Sequence, residues 1–341
     1  MTRAPLVVLA CLLAFVHAQA QSERRLIPIG DLQLESGETI RDCRLAYRTF
    51  GTLNAERSNA ILFPTWFRGT TADLEQLIGP GRLIDTTGHY VIAVDALGNG
   101  ESSSPSNSSL QGRLRFPRFT IGDMVNSQHR LLTAHLGIGR LHAVIGISMG
   151  GMQALEWAVR YPDFAGRVVS IVGTPQLTVM DLLLWNAERR AILDHKDFQD
   201  GNYREQPRIR AGSLIHAFAL TTPQERTRQI RREDAAAFIE KTEAEQRSDA
   251  NNWLRQLEAM LAHDIAARDG GSLEKAAARI RAQVLLVAAD QDHMVNPAAS
   301  LELGRILKAE TIRLSGDCGH RAFDCDADRI IPAVTEFLRR R

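Results

Sequence analysis

Val144-Ile145-Gly146-Ile147-Ser148-Met149-Gly150-Gly151-Met152 is the stretch on which the fold turns. An apolar run, Leu141 to Ile145, leads into Gly-x-Ser-x-Gly, and a helix-prone segment, Met152 to Arg160, follows at once. Strand, tight turn, helix is the order that lifts a serine hydroxyl clear of a sheet edge. Such a turn strains the serine backbone, so its neighbours must be small. Gly146 and Gly150 leave room for the close approach of strand and helix. Ser148 then projects beside the N–H groups of the helix start. The plain alternative is an incidental serine on a Gly-rich turn. The strand and helix on either side favour a nucleophile.

A serine alcohol attacks poorly unless a base takes its proton. In the α/β-hydrolase fold the chain order is Ser, acid, His, and this sequence supplies the last two downstream. Val284–Ala289 reads as a buried strand and runs into Asp290-Gln291-Asp292-His293-Met294-Val295-Asn296-Pro297. A helix-like segment, Ala298 to Ala309, follows, then a short strand over 311–314 and Gly316-Asp317-Cys318-Gly319-His320. His320, after the last strand, can swing back toward Ser148. Asp292 can accept from the imidazole and hold its tautomer. Asp290 is the rival acid, but it lies nearer the strand end, where it can anchor the turn. His293 is the rival base, but it adjoins the acid in sequence and its side chain takes another heading. Of the ten histidines, His320 stands out by its place after the final strand.

The 341 residues can bury one large core or two modest ones, and the hydrophobic (44%) and charged (24%) shares are those of a globular chain. A net charge of +1 gives no basis for binding nucleic acid or an acidic membrane surface. At the amino terminus, the positive charge in 1–5, the apolar core Leu6 to Val16 and the small residues of Ala18-Gln19-Ala20 predict a signal peptide over 1–20, cleaved before Gln21. The apolar run is too short to span a bilayer. A lipoprotein at Cys11 or an uncleaved buried helix fits less well. Export to a periplasm or beyond is the expectation. Loss of Cys11 leaves Cys43, Cys318 and Cys325, of which the last two could bridge across the loop of His320. No C-x-x-C or H-x-x-x-H spacing suggests a metal, and no cofactor is expected.

Leu26 to Ala46 alternates like a hairpin, with Glu35-Ser36-Gly37-Glu38 at its turn. Strands are expected at 59–64, 90–95, 141–147 and 167–172, and a helix over 123–136. Strands alternating with helices predict a mostly parallel central sheet flanked by helices. The α/β core should take 21–176 and 283–341. Between them, 177–282 shows no clear buried strand and reads as a helical cap over the site, its charged stretch 229–247 a solvated face. Acyl transfer passes through a tetrahedral oxyanion that needs two backbone N–H donors in place. One should be Met149, the other Phe67, in the loop Pro64-Thr65-Trp66-Phe67-Arg68-Gly69 after the first buried strand. Trp66 and Arg68 on that loop are candidate substrate contacts.

Longer runs are similar to the homoserine O-acetyltransferase branch of the α/β-hydrolases. They are Ala46-Tyr47-Arg48-Thr49-Phe50-Gly51-Thr52-Leu53-Asn54, Gly122-Asp123-Met124-Val125, Ser148-Met149-Gly150-Gly151-Met152-Gln153-Ala154-Leu155-Glu156-Trp157-Ala158 and Gly319-His320-Arg321-Ala322-Phe323. The resemblance implies a triad of Ser148, Asp292 and His320, an acyl-serine intermediate and a possible homodimer through the cap. The acetyltransferases usually carry His-Ala-Leu-Thr-Gly where this chain has Thr65-Trp66-Phe67-Arg68-Gly69. In the cap they usually carry an Arg with a Tyr seven residues on, where Ile215 and Thr222 fall here. Neither can replace a guanidinium on a carboxylate, which leaves Arg68 as the candidate grip. The expectation is therefore an exported serine hydrolase acting on a small ester or related acyl compound. An acyltransferase using acetyl-CoA and an alcohol is the alternative, and a catalytically dead binding module a third.

Overall fold

The computed structural model describes residues 22–246 and 248–340; the expected signal segment and Cys11 lie outside them. Eight strands form one sheet: β1 (Arg25–Gln33), β2 (Thr39–Gly51), β3 (Ala60–Pro64), β4 (Tyr90–Val94), β5 (Leu141–Ile147), β6 (Ala165–Ile171), β7 (Gln283–Ala289) and β8 (Glu310–Leu314). Their spatial order is β1-β2-β4-β3-β5-β6-β7-β8. The β1–β2 and β2–β4 pairs are antiparallel, and every later pair is parallel.

Twelve α-helices complete the described chain: α1 (Thr71–Leu74), α2 (Ile121–Arg130), α3 (Met149–Arg160), α4 (Val179–Leu193), α5 (Arg210–Leu220), α6 (Pro223–Gln229), α7 (Ala235–Ala244), α8 (Ala250–Leu261), α9 (Leu273–Arg279), α10 (Ala298–Leu307), α11 (Ala322–Cys325) and α12 (Ala327–Arg339). The central strands are apolar on both faces because helices cover both. Ile61, Phe63, Val91 and Ile145 pack with Leu74, Ile330 and Val334 on one side. Leu62, Ile92, Val94 and Val144 pack with Met124, Leu155 and Trp157 on the other. The alternation is the period of two that a pleated strand imposes.

Some element bounds differ from those read in the sequence. The helix expected over 123–136 starts at Ile121, because Thr120 caps it: its hydroxyl accepts from the Asp123 N–H at 3.0 Å, and its own N–H donates to the Asp123 carboxylate at 3.0 Å. Its end is a π-turn over Leu131–His135. The wider turn keeps Leu131 and Leu132 both buried before Gly137 leaves at φ 63°. The helix after Ser148 starts at Met149 rather than Met152. The one over 298–309 stops at Leu307, with Lys308 left-handed.

Chain direction prepares the site. From β3 the chain passes to β4 on one side, then crosses back to β5 on the other and continues outward to β8. The loops leaving β3 and β5 therefore diverge and open a crevice at the carboxyl ends of the strands, the place where open α/β sheets hold ligands. Between β6 and β7 the chain is helix and turn, α4 to α9, apart from one bridge between Gln176 and Asp264.

Candidate active site

Ser148 follows the last residue of β5 and precedes α3, with φ 57° and ψ −122°. A non-glycine residue there costs about 1–3 kcal/mol, which the surrounding structure must offset. Three glycines make the turn fit. A Cβ at Gly146 would lie 1.9 Å from the Gly150 carbonyl oxygen, and one at Gly150 would lie 2.7 Å from that of Pro64. The second approach sets the β3 loop against the elbow. A Cβ at Gly151 would meet Ser170 Oγ at 2.7 Å.

His320 Nε2 lies 2.8 Å from Ser148 Oγ, and His320 Nδ1 lies 2.7 Å from Asp292 Oδ2. With Nδ1–H donating to the carboxylate, Nε2 carries the lone pair that faces the hydroxyl. The other oxygen of Asp292 accepts the Met294 and Val295 N–H groups, each at 2.9 Å. Asp292 and His320 are buried, whereas Ser148 is half-buried. The rivals lie elsewhere. Asp290 accepts from exposed Arg313 at 2.9 Å, and His293 is exposed. Cys318 and Cys325 form a disulfide with Cα atoms 6.5 Å apart, which ties down the turn that carries His320. Cys43 is free and buried, and burial pushes its thiol pKa up to about 12.

The β3 loop makes a turn in which Gly69 N–H donates to the Trp66 carbonyl at 3.1 Å and Arg68 sits at φ 61°. Among the described residues, neither the Phe67 nor the Met149 backbone N–H has a hydrogen-bond acceptor. Both N–H groups therefore keep a proton to donate. Trp66 packs against Phe323 with ring centroids 6.2 Å apart. Arg68 is held by the helical insertion: its guanidinium lies 3.9 Å over Trp253, its Nε donates to Ser248 Oγ at 3.2 Å, and its N–H donates to Gln256 Oε1 at 2.9 Å. The side chain read as a grip for a substrate carboxylate is thus engaged by α8 and its approach. The stack on Trp253 accounts for this, since a guanidinium lies well on an indole face. Thr222 is also occupied: it caps α6 and donates to the Asp317 carbonyl.

Sequence reading passed over several groups that hold this site. Asp95, fully buried, accepts Thr71 N–H at 2.8 Å, Thr71 Oγ1 at 2.7 Å and Asn99 Nδ2 at 2.8 Å, while Asn99 also donates to the Gly69 carbonyl at 3.0 Å. Burial pushes its pKa up to about 6. Asp181, at the start of α4, accepts the Asn296 N–H at 2.7 Å and joins the insertion to the Asp292 loop. Glu188, fully buried in α4, accepts from Trp253 Nε1 at 2.5 Å and lies 3.3 Å from His216 Nδ1. Apart from Asn99, four residues from Asp95, these partners are 24 to 115 residues apart in sequence, and no local pattern marks them. Glu225, Asp317 and Cys318 bring donor atoms within 4.8 Å of one another. However, Arg228 bridges the two carboxylates and Cys318 is disulfide-bonded, so the group is already satisfied.

Residues 78–326 match the family model described as alpha/beta hydrolase fold. The chain is 39% identical to an ethyl acetate hydrolase of Pseudomonas veronii, over 78% of this chain and 80% of that protein. It is 34% identical to a homoserine O-acetyltransferase of Chlorobaculum tepidum, over 90% of this chain and 92% of that one. Among solved structures, the acetyl esterase MekB superposes with a TM-score of 0.86 at 34% identity, covering 93% of this chain and 97% of that one.

Proposed function

The chain belongs to the alpha/beta hydrolase fold family, in the branch that holds homoserine O-acetyltransferases and esterases, and on that premise we propose that it is a serine esterase of short acyl esters. The observation that carries the reading is the hydrogen-bonded line from Ser148 Oγ through the His320 ring to Asp292. Ser148 Oγ attacks the acyl carbon while its proton passes to His320 Nε2. The carbonyl oxygen, now negative, accepts from the Phe67 and Met149 N–H groups. The intermediate collapses, and His320 protonates the departing alcohol. Water then loses a proton to His320 and attacks the acyl-serine, which returns Ser148 and releases the acid. Asp292 holds the imidazole throughout and balances the charge it gains.

Hydrolysis is favoured over transfer to an amino acid because Ile215 and Thr222 stand where the acetyltransferases present Arg and Tyr, and Arg68 is already engaged. The acetyltransferase relatives keep one other outcome in view, since both reactions share the first acylation. The test is hydrolysis of p-nitrophenyl acetate by the purified protein, with and without added alcohols. Ser148→Ala should abolish it. Full activity in that variant would sink the reading, and acetylated homoserine with little free acetate would turn it to transfer.

We also propose export to an oxidising compartment, which the Cys318–Cys325 disulfide supports, and a homodimer through the cap. Val179, Met180 and Leu183 on α4 and Phe218 on α5 are exposed apolar side chains that a second copy would cover.

A further inference from the structure

We infer that Gln153 is a positioning residue that sets the gap between the two N–H donors of the oxyanion site; the inference rests on the esterase reading above. Gln153 lies in the first turns of α3 and is fully buried. Its Nε2 donates to the Thr65 carbonyl at 3.0 Å and to the Met149 carbonyl at 3.2 Å. One amide nitrogen has two protons, and each is spent on a different wall of the crevice. Thr65 is two residues before Phe67, and Met149 carries the other donor itself. A single side chain thereby joins the peptide segments that must converge on one oxygen.

The direction of this clamp is determined from both ends. Trp157 Nε1 can only donate, and it donates to Gln128 Oε1 at 2.8 Å. Gln128 must therefore turn its NH₂ to Gln153 Oε1, 2.6 Å away. That leaves the Gln153 NH₂ facing two carbonyls, which can only accept. Gln128 and Trp157 are as buried as Gln153, so no solvent competes for the line. Reversing either amide would place donor on donor and acceptor on acceptor, at about 1–3 kcal/mol for each buried group left unmade.

Elsewhere the β3 loop is held to other elements. Thr65 N–H donates to the Val94 carbonyl at 3.0 Å, Thr65 Oγ1 accepts from Ala96 N–H at 3.0 Å, and Arg68 N–H goes to Gln256. Gln153 reaches across to the elbow, so the distance between donors depends on it. A misplacement on the order of 1 Å costs about 10²-fold in rate.

The test uses Gln153→Met, which keeps length and removes both donors, and Gln128→Glu, which removes the proton that orients Gln153 and touches neither wall. The measurements are kcat and KM for p-nitrophenyl acetate, and the affinity of a trifluoromethyl ketone that adds to Ser148 as a tetrahedral mimic. The expected result for Gln153→Met is kcat lower by about 10²-fold, KM within about threefold, and ketone affinity lower in step with kcat/KM. Gln128→Glu should move the same quantities by a smaller factor. Folded Gln153→Met with unchanged kcat and ketone affinity overturns the inference, as does a loss confined to KM. If that variant does not fold, Gln128→Glu decides alone, and wild-type kcat there is the overturning result. Ser148→Ala run alongside separates the two failures: activity surviving in it removes the esterase reading, whereas activity lost there but intact in Gln153→Met removes only the clamp.

Discussion

Asp95 shows how a single side chain stabilises geometry at a cost in free energy. Its carboxyl takes three hydrogen bonds that hold the start of α1 and, through Asn99, the Gly69 carbonyl. Burial raises its pKa from 3.8 to about 6. The folded state therefore binds a proton that the unfolded state has released between these values, and stability falls as pH rises through that window. The penalty is complete above about pH 6 and amounts to about 3 kcal/mol. Asp95→Asn, an isostere that never ionises, should not pay it. Urea midpoints at pH 4 and pH 7 should diverge more in the native protein than in the variant; parallel shifts would contradict the assignment. Arg68 offers a second test. Arg68→Ala should lower stability by about 1–2 kcal/mol through loss of the Trp253 stack. It should leave the preference between acetyl esters with and without a carboxylate unchanged, as measured by kcat/KM ratios. Asp292 and His320 were legible because each follows a strand that the sequence marks plainly. The roles of Asp95 and Gln153 were not, since both sit in apolar runs and take their meaning from partners brought close only by the sheet.

The elements carried unequal amounts of information in the chain. The inner strands showed themselves as short apolar runs, and the antiparallel hairpin as an alternation. The π-turn at 131–135 had no such signature, because two adjacent leucines and a glycine suit an ordinary helix end equally well. The contacts of α8 were hidden for another reason. Gln256 reaches Arg68 across 188 residues, and nothing near either position announces the pair. The turn between β5 and α3 makes the sharpest prediction. Gly146→Ala must place a methyl group 1.9 Å from a backbone oxygen, so strand and helix have to separate. A loss of about 3 kcal/mol is expected, with activity falling faster than the melting temperature. A variant with native activity would mean that the elbow is looser than described.

For the molecule as a whole, the crevice follows from topology: the chain leaves β3 and β5 in opposite directions, and α8 of the helical insertion touches the β3 loop at Arg68. The exposed side chains of α4 and α5 supply the prediction at this scale. Leu183→Asp together with Phe218→Asp should shift sedimentation to that of a single chain, while acetyl ester hydrolysis by a folded monomer persists. A native protein already monomeric at micromolar concentration would remove the homodimer. The insertion itself is fastened to the core along its length. Asp181 is joined to the Asn296 N–H, Thr222 to the Asp317 carbonyl, Asn252 Nδ2 to Ser106 Oγ, Arg255 to the Phe116 carbonyl and Gln256 Nε2 to the Leu97 carbonyl. An insertion fastened at so many points should behave as masonry rather than as a door. Access to Ser148 should then depend on no swinging part. Thickening the solvent with sucrose should therefore slow this enzyme no more than it slows diffusion to an open doorway.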